Sequence, residues 1–258
     1  MQYRFSSLVV GVVVSLGAAS MSARAEIVTT LPTSAIDANT VFSFSSKAIT
    51  AMKLLDLSAS AMGNTTALGT SGWSYNLPVT QVTTSLGLLP PSLTPVSGRA
   101  DGSALKISGA DGSLVLANFA LDFKRNVLSA DFTSESGTIK GMDIYNFNVK
   151  DGLRLSTSGG LSMKMSMDQM FLTAGARAAF IDALYLPEFT DAVMAKLDFG
   201  TMDVDISPML RSPVNDKLFK PTLAMATGVP EAPSMLLMAL GLFGIAAASR
   251  RRPAHAQA

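Results

Sequence analysis

Leu161-Ser162-Met163-Lys164-Met165-Ser166-Met167 sets an apolar side chain at every second position, with a polar one between. Successive side chains on a strand point to opposite sides, so this series makes one apolar and one polar face only if it is extended. It therefore reads as a half-buried strand of an antiparallel sheet. Its surroundings repeat the pattern. Met202, Val204 and Ile206 alternate with Asp203 and Asp205, and Tyr145, Phe147 and Val149 with Asn146 and Asn148. Val115, Ala117, Phe119, Leu121 and Phe123 fall on one face, with Leu116, Asn118, Ala120 and Asp122 on the other. Turn residues separate these runs: Asp101-Gly102, Asp111-Gly112, Lys124-Arg125-Asn126, Glu135-Ser136-Gly137, Asp151-Gly152 and Gly159-Gly160. Such spacing predicts a mainly β body, an antiparallel sandwich or roll.

Toward the N-terminus the signal weakens, but Val41–Phe44, Met52–Ala61 and Trp73–Leu86 are compatible with further strands. Pro90, Pro91 and Pro95 make residues 88–98 a possible subdivision of the body. One interruption is helical. Ala176, Ala179, Phe180, Ala183 and Leu184 follow a 3.6-residue period behind Thr173, an N-cap residue. Pro187 stops that helix, and Phe189, Val193 and Leu197 can line a second, which gives a helical hairpin inserted between two strands.

Both ends of the chain carry their own signals. Residues 1–25 have a basic Arg4, an apolar run from Leu8 to Ala19, and small residues at Ala23 and Ala25. That is the layout of a secretory signal peptide cleaved before Glu26. The run is about a dozen residues, short of the roughly 20 that span a bilayer. After a body over 26–206, residues 207–228 hold prolines and little periodicity, and read as a stalk. Val229-Pro230-Glu231-Ala232-Pro233 follows, then the apolar Met235–Ala248, then Arg250-Arg251-Arg252. The apolar part fits a short transmembrane helix over 234–249. The three arginines would keep its far end in the cytoplasm.

This three-part tail resembles the PEP-CTERM sorting signal of exported proteins in exopolysaccharide-forming Gram-negative bacteria. The resemblance carries over Val229, Pro230, Glu231 and Pro233 as the motif and Arg250, Arg251 and Arg252 as the stop, with Ala232 standing where the family has its second proline. It implies an exosortase-type membrane enzyme as partner, brief residence in the inner membrane, and delivery to the cell surface or extracellular matrix.

Composition limits what the body can do. The 258 residues include no cysteine and one histidine, His255, close to the C-terminus. Thiolate metal sites, Cys nucleophiles and Ser-His-Asp arrangements are thereby excluded or improbable. All 19 acidic residues but only 15 of the 20 basic ones fall within 26–231, which argues against nucleic acid as a partner. The expectation is a non-enzymatic exported protein associated with exopolysaccharide or biofilm, with no catalytic residue, cofactor or metal. One alternative is a glycan hydrolase using paired carboxylates among Asp198, Asp203 and Asp205, since two carboxylates in a cleft are what glycoside hydrolysis needs. Another is a secreted carrier of a small ligand such as haem or a metal. Asp101, Asp111 and Asp151 could offer hard oxygen ligands to calcium, though Asp-Gly is favoured in turns for backbone reasons alone. The Met163/Met165/Met167 stripe with Met170 could offer soft ligands, but such stripes most simply pack a core. Trp73, Tyr75 and Tyr145 could stack on sugars or sit half-buried in the sheet. Asn64-Thr65-Thr66 matches a glycosylation acceptor.

Overall fold

The period-2 runs pair into one antiparallel sheet of twelve strands. The computed structural model describes residues 26–32, 37–88, 91–156, 162–207 and 214–227. In chain order these form β1 (Glu26–Pro32), β2 (Asp37–Phe44), α1 (Ser46–Leu54), β3 (Ser58–Gly63), β4 (Thr66–Leu68), β5 (Ser74–Pro78), β6 (Gln81–Leu88) and β7 (Pro91–Ser108). Then come β8 (Ser113–Asp122), β9 (Val127–Ser134), β10 (Gly137–Ser156), β11 (Ser162–Leu172), α2 (Ala174–Leu184), α3 (Thr190–Met194), β12 (Gly200–Ser207) and α4 (Leu223–Thr227).

Strands β6 to β12 lie in sequence order, β2 then joins β12, and β5 and β4 follow. Phe44 stands opposite Gly200 in the β2–β12 pair. The sheet curls because the chain from Ser74 to Leu88 pairs on both sides of it. Its first half pairs with β2 and its second half with β7. At the joint, Val79 N–H donates to Ala38 O at 2.9 Å and Thr80 N–H to Arg99 O at 2.7 Å. The expected antiparallel body is thus one curled sheet rather than two stacked ones, and residues 91–108 run through the suspected subdivision as a single strand.

Apolar faces meet inside the curl. Met165, Met167, Met202, Val204 and Ile206 are buried, whereas Asp203 and Asp205 between them are exposed. The methionine stripe therefore packs the core. Met170 joins it because Gln169, at φ 53°, takes an extra position on β11.

Several expectations need correction. Val115 to Phe123 do not share one face. Asn118 sits at φ 54° in a bulge, with the register shifting between Ala117 and Ala120. Before it, Leu114 and Leu116 face the core; after it, Phe119 and Leu121 do. Val115 and Ala117 instead face outward, into a small second cluster with Ala104. Asp101-Gly102 and Asp151-Gly152 lie within β7 and β10, at register shifts, and are not hairpin turns. Met52–Ala61 splits into the end of α1 and most of β3, since Ala48 and Met52 bury one helical face behind the Ser45 cap. The helical hairpin is present between β11 and β12, although Phe189 and Val193 are exposed.

The segment read as a stalk is, over 214–227, held on the outside of the sheet. Asn118 accepts from Phe219 N–H at 2.7 Å and from Gly102 N–H at 3.1 Å, and its amide donates to Phe219 O at 2.9 Å and to Asp131 Oδ2 at 2.8 Å. Phe219 and Met225 pack over Ala104, Val115 and Ala117, and Ser113 Oγ bonds to Ala226 O. Gly102, at φ +77°, passes so close beneath this strap that a Cβ would stand 2.9 Å from Lys217 O. Asn64 spends its amide on Asp101 O and Asn215 O at 3.2 and 2.6 Å, so the glycosylation-like triplet has a structural use here.

Candidate functional site

Two helical pieces cover one end of the curled sheet and leave a cavity between them. Ser45 starts α1: its hydroxyl accepts from Ala48 N–H at 3.0 Å and donates to Asp198 O at 2.6 Å. Thr173 starts α2 in the same way, accepting from Ala176 N–H at 3.1 Å and donating to Asp143 O at 2.6 Å. Arg177 ties α2 to α3 through Asp191 at 2.7 Å. Gly200, at φ +151°, lets β12 enter the sheet where a Cβ would stand 2.0 Å from Ser43 O. These anchors fix both helical pieces against the sheet end.

Between them lies a cleft of about 230 Å³. Met52, Leu55 and Leu57 form one wall; Phe180, Leu184, Met194 and Leu197 form the other. Phe44, Ile107, Tyr145 and Phe199 make the floor. Leu54, Phe189 and Val193 are exposed at its rim, by 81%, 70% and 53%. Exposed apolar groups around an apolar concavity mark a binding site more often than they mark unfinished packing. A second space of about 60 Å³ lies inside the curl and shares Phe44, Ile107 and Tyr145 with the cleft.

Among the described residues no acidic, basic or imidazole side chain lines the cleft. Among the described residues Thr190 and Tyr145 are the polar wall residues, and the Thr190 hydroxyl donates to Pro187 O at 2.6 Å. Tyr145 is 4% exposed, its ring 5.5 Å from that of Phe199 and 6.1 Å from that of Phe42. Burial pushes its phenol well above the ordinary range, so it stays a hydrogen-bond donor. Such a cleft can bind and shield an apolar molecule.

Of the sequence candidates, Tyr145 lines the cleft floor, and the carboxylates, Tyr75 and Trp73 lie elsewhere. Asp198 accepts from the backbone N–H groups of Met170 and Gly200 at 3.1 and 3.0 Å, so its carboxylate serves the chain. Asp205 pairs with Lys164 at 3.2 Å on the outer face. Asp101 pairs with Arg99 at 2.8 Å. Among the described residues no cluster of three or more His, Asp or Glu could hold a metal. Tyr75 is buried, its hydroxyl donating to Gly72 O and Ala59 O, and Trp73 packs edge-on against Phe44. The cleft itself was not legible, because its members come from four distant stretches. A Ser-capped Ala48/Met52 pair was the one local hint of its first wall.

Ala23 and Ala25, and the tail residues Val229, Pro230, Glu231, Pro233, Arg250, Arg251 and Arg252, lie outside the described residues, while Glu26 opens β1. Among the described residues no helix is long and apolar enough to cross a membrane; the expected helix over 234–249 is outside them.

Comparison with known proteins bears on that tail. Residues 228–252 match the PEP-CTERM protein-sorting motif, beginning directly after α4. The chain thus carries the tail of an exosortase substrate, which implies export, processing by that membrane enzyme, and sorting to the cell surface. No curated protein matches the sequence. Among solved structures, the C-terminal domain of HtaA from Corynebacterium glutamicum superposes with a TM-score of 0.41 at 13% identity, covering 67% of this chain and 97% of that one. The heme binding protein HtaB from the same organism gives 0.40 at 11% identity, covering 71% and 96%.

Proposed function

We propose that this chain is a non-enzymatic surface protein whose body holds a small apolar molecule in the cleft between α1 and α2–α3. The observation that carries this reading is the cleft itself: about 230 Å³, walled by apolar side chains, with Leu54, Phe189 and Val193 exposed around it. An apolar side chain left in water forgoes about 1.5–3 kcal/mol of burial, and three at one mouth are best accounted for by an occupant. The sorting tail supplies the address, and the cleft supplies the activity.

A hydrolase reading draws no support from the carboxylates, which stand on the solvated outer face or are engaged by backbone. A glycan-stacking reading draws none from Trp73, Tyr75 and Tyr145, which are packed into the sheet. The test uses the processed protein recovered from its producing cell and titrated with N-phenyl-1-naphthylamine, a neutral dye that brightens on apolar burial. Saturable binding is expected, and Leu54→Asp with Val193→Asp should weaken it about tenfold without unfolding the chain, since both positions are exposed. Equal binding by the charged-rim variant would overturn the assignment of the cleft.

A further inference from the structure

The space inside the curl is what the cleft by itself leaves unexplained. It holds about 60 Å³ and meets the cleft at Phe44, Ile107 and Tyr145, which line both. From there its lining continues into the sheet, along β12 through Met202, Val204 and Ile206 in turn. A core normally closes such a gap, because wall atoms that face a void lose their contacts. Water does not fill it either, since an apolar cavity stays dry. Arg99 is the charged residue on this lining, and its guanidinium is spent on Asp101 at 2.8 Å. The core thus keeps a dry, hydrocarbon-lined extension that begins where the cleft floor ends.

We propose that the cleft and the inner space are two parts of one site, and that its ligand is a linear hydrocarbon chain, the alkyl or acyl chain of a lipid-like molecule, whose leading end passes Phe44 into the curl. This rests on the reading of the cleft as a ligand site and names the class of ligand for it. Size selects a chain. A cavity of roughly 150 Å³ takes the six carbons of benzene, about 25 Å³ each. At about 60 Å³ the inner space is too small for a ring, but it takes two or three carbons in line. On the same scale the cleft, at about 230 Å³, takes about nine. The best fit is therefore a chain of about eleven or twelve carbons. Its polar head stays at the mouth, because the cleft walls offer no charge to pair with it.

Primary alkanols from hexanol to tetradecanol test this on the processed protein, by displacement of N-phenyl-1-naphthylamine. Affinity should rise about fourfold per methylene and level off at about eleven or twelve carbons. Val204 lines the inner space and not the cleft, so in Val204→Phe the added ring occupies that space. This variant should bind octanol as wild type does and level off near nine carbons, leaving dodecanol bound about tenfold or more weakly. Val204→Leu adds only one carbon, which a packed core accommodates more easily, and should shorten the best chain by about one carbon. Levelling of wild type at about nine carbons would overturn the joined site while leaving the apolar cleft intact. Dodecanol binding equally to wild type and both variants would do the same. Failure of every alkanol to displace the dye from wild type would overturn both readings.

Discussion

Asn118→Ala tests the joint on which the outer strap depends. Asn118 is 6% exposed, at φ 54°, and makes four hydrogen bonds, to Gly102, Asp131 and both backbone groups of Phe219. Alanine at that φ adds about 1 kcal/mol of backbone cost. It also leaves the buried Gly102 N–H without an acceptor, about 1–3 kcal/mol. The two Phe219 groups then either stay dry and unpaired or regain water by lifting the strap, which uncovers Phe219 and Ala226. The loss should come to about 3–5 kcal/mol, a large part of the 5–15 kcal/mol that stabilises a typical domain. Urea unfolding followed by circular dichroism measures it, and limited proteolysis should show cleavage within 214–227 before the sheet is cut. Asn118→Gly loses the same bonds but not the φ cost, so it should fall about 1 kcal/mol short of the alanine variant. If Asn118→Ala stays within about 0.5 kcal/mol of wild type and the strap stays protected, the clamp has no energetic weight and the reasoning fails.

Three further outcomes are expected. Met167→Ala, at a fully buried position, should cost about 2–5 kcal/mol in urea unfolding, while Asp203→Asn should change stability by less than about 0.5 kcal/mol; the reverse order would contradict the inward methionine face. Asp122 accepts from the Arg125 guanidinium at 2.8 Å, which holds its carboxyl below the usual carboxylate range. Its stabilising share is therefore complete above the ordinary value and lost as pH falls through the lowered one. An NMR titration should show that low midpoint and its rise in Arg125→Ala; an unmoved midpoint would exclude the pairing as cause. Replacing Pro230 and Glu231 by Ala should leave a longer, membrane-retained species, whereas intact Leu236–Arg250 peptide in wild-type surface protein, found by mass spectrometry, would refute processing at the motif.

What the sequence made legible was whatever repeats within one element. Met163 to Met167 and Met202 to Ile206 report their buried face because the strand period is two. Thr173 reports a helix start because its hydroxyl can reach only the next few N–H groups. The sorting tail, read from seven positions and a hydropathy run, needed no tertiary context. The bulges were hidden: nothing near Asn118 or Gln169 announces a positive φ, and each inverts the faces beyond it. In β8 the strap also covers Val115 and Ala117, so the strand is buried on both sides, which alternation alone cannot describe. Residues 214–227 bury too few apolar groups, Phe219 and Ala226 among them, to show a period. The cleft was hidden for the plainest reason, since Phe44, Ile107, Tyr145 and Phe199 become neighbours only when the sheet curls.

That curl also sets an order of events. β2 waits for β12: Phe44 cannot find Gly200 until nearly the whole body is free to fold. For an exported chain that emerges N-terminus first, β5 can pair one edge of β2 early, while its other edge stays open until β12 arrives. Pairings so distant in sequence close slowly, in milliseconds to seconds, and leave open edges meanwhile. The strap follows β12 by only a few residues, and the face it docks on is built from β3, β7, β8 and β9. The strap can dock only on strands that have already paired.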